Sequence, residues 1–295
     1  MQRPKNRPLT RAEAEARIQG MSRRISPTER ETLIEVWTAN AELLSTLILS
    51  HEPNMALAAM SESQRRWKEG WDHRGTDQAL AMCLTPKTNL SVREKAALVL
   101  GQRNDKRSIP ILQTMLSSSD PGNPLQSPKA VQAGFFLARF KDTASYPGIH
   151  KLIARLDNAE QRNLADVLAM MADPKSVILL RELLKNPYQG TRSHAALALG
   201  RVKDQSSVPA LILALTDGYS AVRRDAAWAL AAIGDTKALP ALKKAVTAQN
   251  SKQVPGHGSR GAQEMARRAV AALEKGKPLE IARDWRGDPV GMSRF

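Results

Sequence analysis

The chain is 295 residues long, carries a formal net charge of +15, and is 42% hydrophobic but only 4% aromatic. Its one cysteine, Cys83, excludes an internal disulfide framework and a four-cysteine zinc site, and it suits a reducing cytoplasm. No apolar run of signal-peptide length follows the basic start, and the longest apolar cluster, Leu43 to Leu49, falls far short of the roughly 20 residues that cross a bilayer, so a soluble cytoplasmic protein with no membrane partner is expected.

In chain order, residues 1–25 are basic and aperiodic and read as a flexible arm. Ser26-Pro27-Thr28-Glu29 is a capping box that starts a helix carrying Leu33, Trp37, Leu44 and Ile48 on one face. A second helix is expected over Met55 to Trp67, and a third over residues 76–84. Residues 26–90 together read as a helical cap, or degenerate leading unit, covering one end of a stack.

From residue 91 a pattern repeats around an aspartate, at Asp105, Asp142, Asp173, Asp204 and Asp235, with spacings of 37 and then three times 31 residues. Five before each aspartate stands a leucine, and eight and nine before stand mostly alanines, the spacing of one helix face with side chains small enough for close approach. Four, seven and eleven after it apolar residues return, a second helical stripe. Ser108, Ser145, Ser176 and Ser207 follow the aspartate by three and are expected to cap that second helix, whose first turn holds Pro110, Pro147, Pro209 and Pro240. A fixed period of this size predicts an all-α solenoid of about five helical hairpins, since no single hairpin buries its own apolar face. The longer first spacing comes from the turn-rich segment Ser117 to Pro124. Residues 91–250 hold the five units, and residues 251–275 an insertion and a last helix from Met265 to Leu273. Residues 276–295, with Trp285 and Phe295, read as a flexible tail.

The segment Val222 to Asp235, followed by Ala238-Leu239-Pro240-Ala241-Leu242, resembles HEAT repeats of the phycobiliprotein-lyase type. The likeness covers roughly residues 91–275 and weakens at Asp173, where Ile178 replaces the proline. It implies an α-solenoid that binds proteins, with the second helices lining the concave face. On that implication the partner-binding residues are His150, Lys151, Arg155, Lys185, Ile212, Leu213, Lys243 and Lys244, an apolar anchor with a basic rim. The expected function is a non-catalytic scaffold gripping an acidic or amphipathic segment of a partner protein.

Only residues 27–90 are net acidic, and the positive excess elsewhere would attract a polyanion, so nucleic-acid binding is the alternative, architectural or as a relative of the HEAT-like alkylpurine DNA glycosylases. Arg65, Arg66 and Arg260 are the candidate anion-binding residues, the first two beside Trp67 and Trp71. Arg93, Arg192 and Arg223 recur twelve before the aspartate and are expected to bond turns of the stack. Gly256 to Gly261 matches the dinucleotide glycine pattern, but no strand precedes it. His51-Glu52 is a single pair, whereas the deoxyhypusine hydroxylases that it resembles use several to hold iron. No nucleophile with a placed base emerges, and neither a catalytic residue, a cofactor nor a metal is expected.

Overall fold

The computed structural model describes residues 7–21, 25–70, 74–118, 127–154, 156, 160–247 and 259–279. Among these the regular structure is helical, and it divides into two units, residues 1–140 and 141–295. Arg155, Trp71, His73, Trp285 and Phe295 lie outside the described residues, as do most of the turn-rich segment after Ser118 and the insertion before Ser259.

The first unit contains α1 (Arg11–Gln19), α2 (Pro27–Thr38), α3 (Ala41–Ile48), α4 (Pro53–Lys68), α5 (Arg74–Met82), α6 (Leu90–Gln102), α7 (Ile109–Ser118) and α8 (Ser127–Arg139). Residues 11–19 are a helix rather than a flexible arm, and the sequence carried its signal in Thr10 and Glu13. The Thr10 hydroxyl accepts from the Glu13 amide, and the Glu13 carboxylate accepts from the Thr10 amide at 2.8 Å, a reciprocal capping box. Ala14 is then fully buried, and the Leu9 amide donates to the Trp37 carbonyl at 3.0 Å. The single helix expected from Pro27 through Ile48 is two. The chain is extended at Ala39, and Asn40 caps α3 by accepting from the Leu43 amide at 2.8 Å.

The second unit contains α9 (Tyr146–Ile153), α10 (Glu160–Met171), α11 (Pro174–Leu183), α12 (Gln189–Val202), α13 (Val208–Ala214), α14 (Ser220–Ile233), α15 (Leu239–Thr247) and α16 (Ser259–Glu274). The first helices of successive repeats, α10, α12, α14 and α16, pack directly side by side. Alanines make this possible: Ala195, Ala196, Ala226 and Ala227 are all buried, and a Cβ on Gly200 would lie 2.6 Å from the Ala229 Cα. The second helices α11, α13 and α15 have no mutual packing of comparable extent.

One backbone device closes every first helix. The residue before each aspartate, Asn104, Lys141, Ala172, Lys203 or Gly234, has φ between 53 and 86°. That left-handed residue stops the helix, and the aspartate begins the next. Asp105, Asp173 and Asp235 accept the backbone N–H two residues on, while Asp142 and Asp204 are bonded by Ser145 and Ser207. In three of the five turns the aspartate side chain is therefore the cap, and Ser145 and Ser207, at the N-cap positions of α9 and α13, make no side-chain cap bond. The buried Ser145, Ser176 and Ser207 hydroxyls donate to their aspartate's carboxylate, and Ser108 donates to the Asp105 carbonyl at 2.7 Å.

Candidate partner-binding faces of the repeats

Between successive repeats of the second unit, the residue eight after each aspartate reaches toward the next aspartate turn. His150 Nε2 lies 2.9 Å from Ser176 Oγ and 3.5 Å from Asp173. Since Ser176 donates to Asp173, Nε2 carries the proton and donates to Ser176, leaving Nδ1 as a buried lone pair with no hydrogen bond. Burial holds the His150 imidazole below its ordinary pKa, against the pull of Asp173. One repeat on, Arg181 donates to Ser206 at 3.2 Å, and Ser206 to Asp204 at 2.7 Å.

The series breaks at the next step on both sides at once. Ile212 stands where His150 and Arg181 stand, and Ala238 replaces the serine of the Asp235 turn. What opens there is a groove of about 470 Å³ lined chiefly by Ser206, Pro209, Ile212, Leu213, Asp235 and Lys237. Leu213 is 74% exposed, more than any other large hydrophobic among the described residues, and would sit in water unless covered.

Of the other residues expected to bind a partner, Lys151, Lys185, Lys243 and Lys244 are exposed. Lys243 is paired with Glu274 of α16 at 2.8 Å. His150 is 5% exposed and belongs to the joint between repeats, so it is not a surface contact. The anion-binding expectation also fails at two of its three residues. Arg66 is buried, bonded to Glu62 and to the Ala39 carbonyl at 2.8 Å, where it ties α4 to the end of α2. Arg65 is held by Glu62 and Glu69. Arg260 is exposed in the first turn of α16.

Two of the three recurring arginines, Arg192 and Arg223, bond turns of the stack as expected. Arg192 makes two bonds to Asp217, at 2.7 and 3.0 Å, and one to the Asn186 carbonyl at 2.8 Å, while Arg223 donates to the Asp217 carbonyl at 2.7 Å. His51 and Glu52 are exposed between α3 and α4, and among the described residues no group of three or more His, Cys, Asp or Glu is placed to hold a metal. No helix among the described residues is long and apolar enough to cross a membrane.

A polar cluster that the aspartate turns did not point to lies on the first-helix layer. Asp166 of α10 is bonded by Arg201 of α12 and lies 3.9 Å from His194 Nδ1. Asp225 of α14, 4% exposed, is bonded by Ser193 of α12 and by Arg224 at 2.8 Å. The signal in the sequence was the position seven before the repeat aspartate, which is Leu98, Phe135, Leu197 and Trp228 in four units and Asp166 in the fifth.

Residues 179–254 match the HEAT repeats family, and residues 92–118 match the PBS lyase HEAT-like repeat. No curated protein matches. Among solved structures, human deoxyhypusine hydroxylase in complex with glycerol is 18% identical, over 90% of this chain and 97% of that one, with a TM-score of 0.36. The complex of CpcE and CpcF of phycocyanin lyase from Nostoc sp. PCC7120 is 20% identical, over 80% and 95%, with a TM-score of 0.44. An engineered protein is 20% identical over 82% and 100%, with a TM-score of 0.38. The chain therefore carries HEAT repeats over residues 179–254 and a repeat of the PBS lyase HEAT-like type over residues 92–118.

Proposed function

We propose that this protein is a non-catalytic scaffold that binds a partner protein through the exposed face of its second helices, with the Ile212 and Leu213 groove as the anchor. The observation that carries this reading is the break in the joint between repeats, where an apolar residue replaces the polar bridge and leaves a 74% exposed leucine beside an open groove. Burying such a leucine contributes about 2 kcal/mol, enough to make it a hot spot when a rim excludes water. The exposed Lys237 lines the groove, and Lys244 is exposed on α15 of the next repeat, so the partner segment is amphipathic and acidic, seating an apolar side chain on Leu213.

The test places a photo-reactive amino acid at position 213 in the native cell and identifies the protein that cross-links. The Leu213→Asp and Lys244→Glu double substitution should then abolish co-purification of that same protein. Its retention by the double variant, with helicity intact, would sink the proposal. The nucleic-acid alternative lacks support from Arg65 and Arg66, whose guanidiniums are already used, and a mobility-shift titration decides it by the salt dependence that phosphate contacts impose.

A further inference from the structure

The first-helix layer of the second unit is built from alanine, leucine and glycine, and into it three consecutive helices set six ionisable groups. These are Arg162 and Asp166 of α10, His194 and Arg201 of α12, and Arg224 and Asp225 of α14. They stand eleven, ten, seven or three residues before the repeat aspartate, spacings that place them on one helix face. The packing of the layer does not ask for Asp166, which occupies a position that is apolar in the other four units. Charges removed from water are weak stabilisers at best, and departures from a repeat's own pattern concentrate at functional sites.

Three guanidiniums face two carboxylates here. Asp166 is bonded by Arg201, and Asp225 by Ser193 and Arg224, while the Arg162 Nε is buried with no hydrogen-bond partner. His194 stands over Asp166 with 37% of its side chain exposed. Beside these groups lie Leu197 and the Trp228 ring, both partly exposed, the latter covering Gly200. Arginine and tryptophan around a partly desolvated charge are the composition of an interface core. A small inorganic ion would make no use of Leu197 and Trp228, whereas a polypeptide would.

We propose that the face of α10, α12 and α14 around Asp166, His194 and Arg201 is a second binding surface, for an acidic peptide segment whose carboxylate joins the arginines and whose apolar neighbour lies on Leu197 and Trp228, and that binding protonates His194. Burial, together with Arg162 of α10 and Arg201 of its own helix, holds the free imidazole neutral, against the pull of Asp166 of α10 and Asp225 of α14. An arriving carboxylate offsets the arginines and favours the imidazolium. Binding therefore takes up a proton and tightens as pH falls.

The experiment follows the His194 ring resonances of the full-length protein across pH, with and without a short glutamate-rich peptide carrying one leucine. The expected result is an upward move of the His194 midpoint by about one unit, with affinity about tenfold tighter on the acid side of it. Arg162→Gln and Arg224→Gln, each checked for unchanged helicity, should weaken binding, and Leu213→Asp should leave the His194 shift in place, separating this surface from the second-helix groove. No shift with peptide in millimolar excess would overturn the proposal. So would an equal shift with the glutamine version of the peptide or with inorganic phosphate alone, or loss of the shift in Leu213→Asp.

Discussion

At the residue scale, the repeat aspartates act through hydrogen bonds that fix a turn. Asp173 accepts from the Lys175 amide at 3.1 Å, from the Ser176 amide at 3.3 Å and from the Ser176 hydroxyl. Asp173→Ala should therefore cost about 1 kcal/mol or somewhat more in urea denaturation, the usual loss for a helix cap. The residue before each aspartate offers the opposite experiment. Lys203 is left-handed at φ 57°, where glycine is at ease and a side chain is not. Lys203→Gly should raise stability by about 0.5 kcal/mol, and a loss of stability there would mean that the lysine's own contacts outweigh the backbone strain. The aspartates were plain in the sequence because they recur. The left-handed residues were not, because asparagine, lysine, alanine and glycine share no chemistry that a pattern displays.

At the element scale, helices with unbroken apolar periodicity were placed, as was the start of α2 from its Ser26 cap, but α1 and the start of α3, also set by caps, were not. Residues 11–19 have too few apolar side chains for a stripe, yet Thr10 and Glu13 satisfy their first amides and Ala14 finds a buried place. The break at Ala39 and Asn40 was hidden because Leu33, Trp37, Leu44 and Ile48 keep helical spacing across it. The close approach of α12 and α14 rests on Gly200, whose added Cβ would meet the Ala229 backbone at 2.6 Å. Gly200→Ala should destabilise by about 1–3 kcal/mol in spite of alanine's better helix propensity, because neither helix can yield without moving its neighbour. A stabilising outcome in thermal melts would show that the layer is looser than described.

At the scale of the whole molecule, pH should act through groups that the two units hold away from their ordinary titration. His150 and His194 are both depressed, chiefly by burial. The unfolded chain binds their protons more readily, so this part of the stability is fully present above about pH 6.5 and is lost as pH falls through the lower folded values. Asp105 is depressed first by its Arg107 bond, and Asp173 and Asp204 by serine bonds that overcome the opposing effect of burial. Their contribution holds above about pH 4 and disappears on further acidification. The melting temperature should therefore decline in two stages, the first between neutrality and about pH 5, and His150→Asn should flatten that first stage. An unchanged first stage in both His150→Asn and His194→Asn would rule out the histidines as its origin.

The sequence by itself determined the period, the two helices of each repeat, the proline in four of the five second helices and the small residues of the first, because each is a local requirement restated from unit to unit. Ile212 and Leu213 were legible as an apolar pair in a polar row, and Arg192 and Arg223 as structural, since each departs from or follows that period. Only the tertiary structure decided which layer packs tightly, that His150 and Arg66 are buried in joints, and that Asp166, His194, Arg201 and Asp225 from three helices share one face. Those outcomes depend on what one repeat presents to the next, and the distance between neighbouring helices is set by the side chains of both.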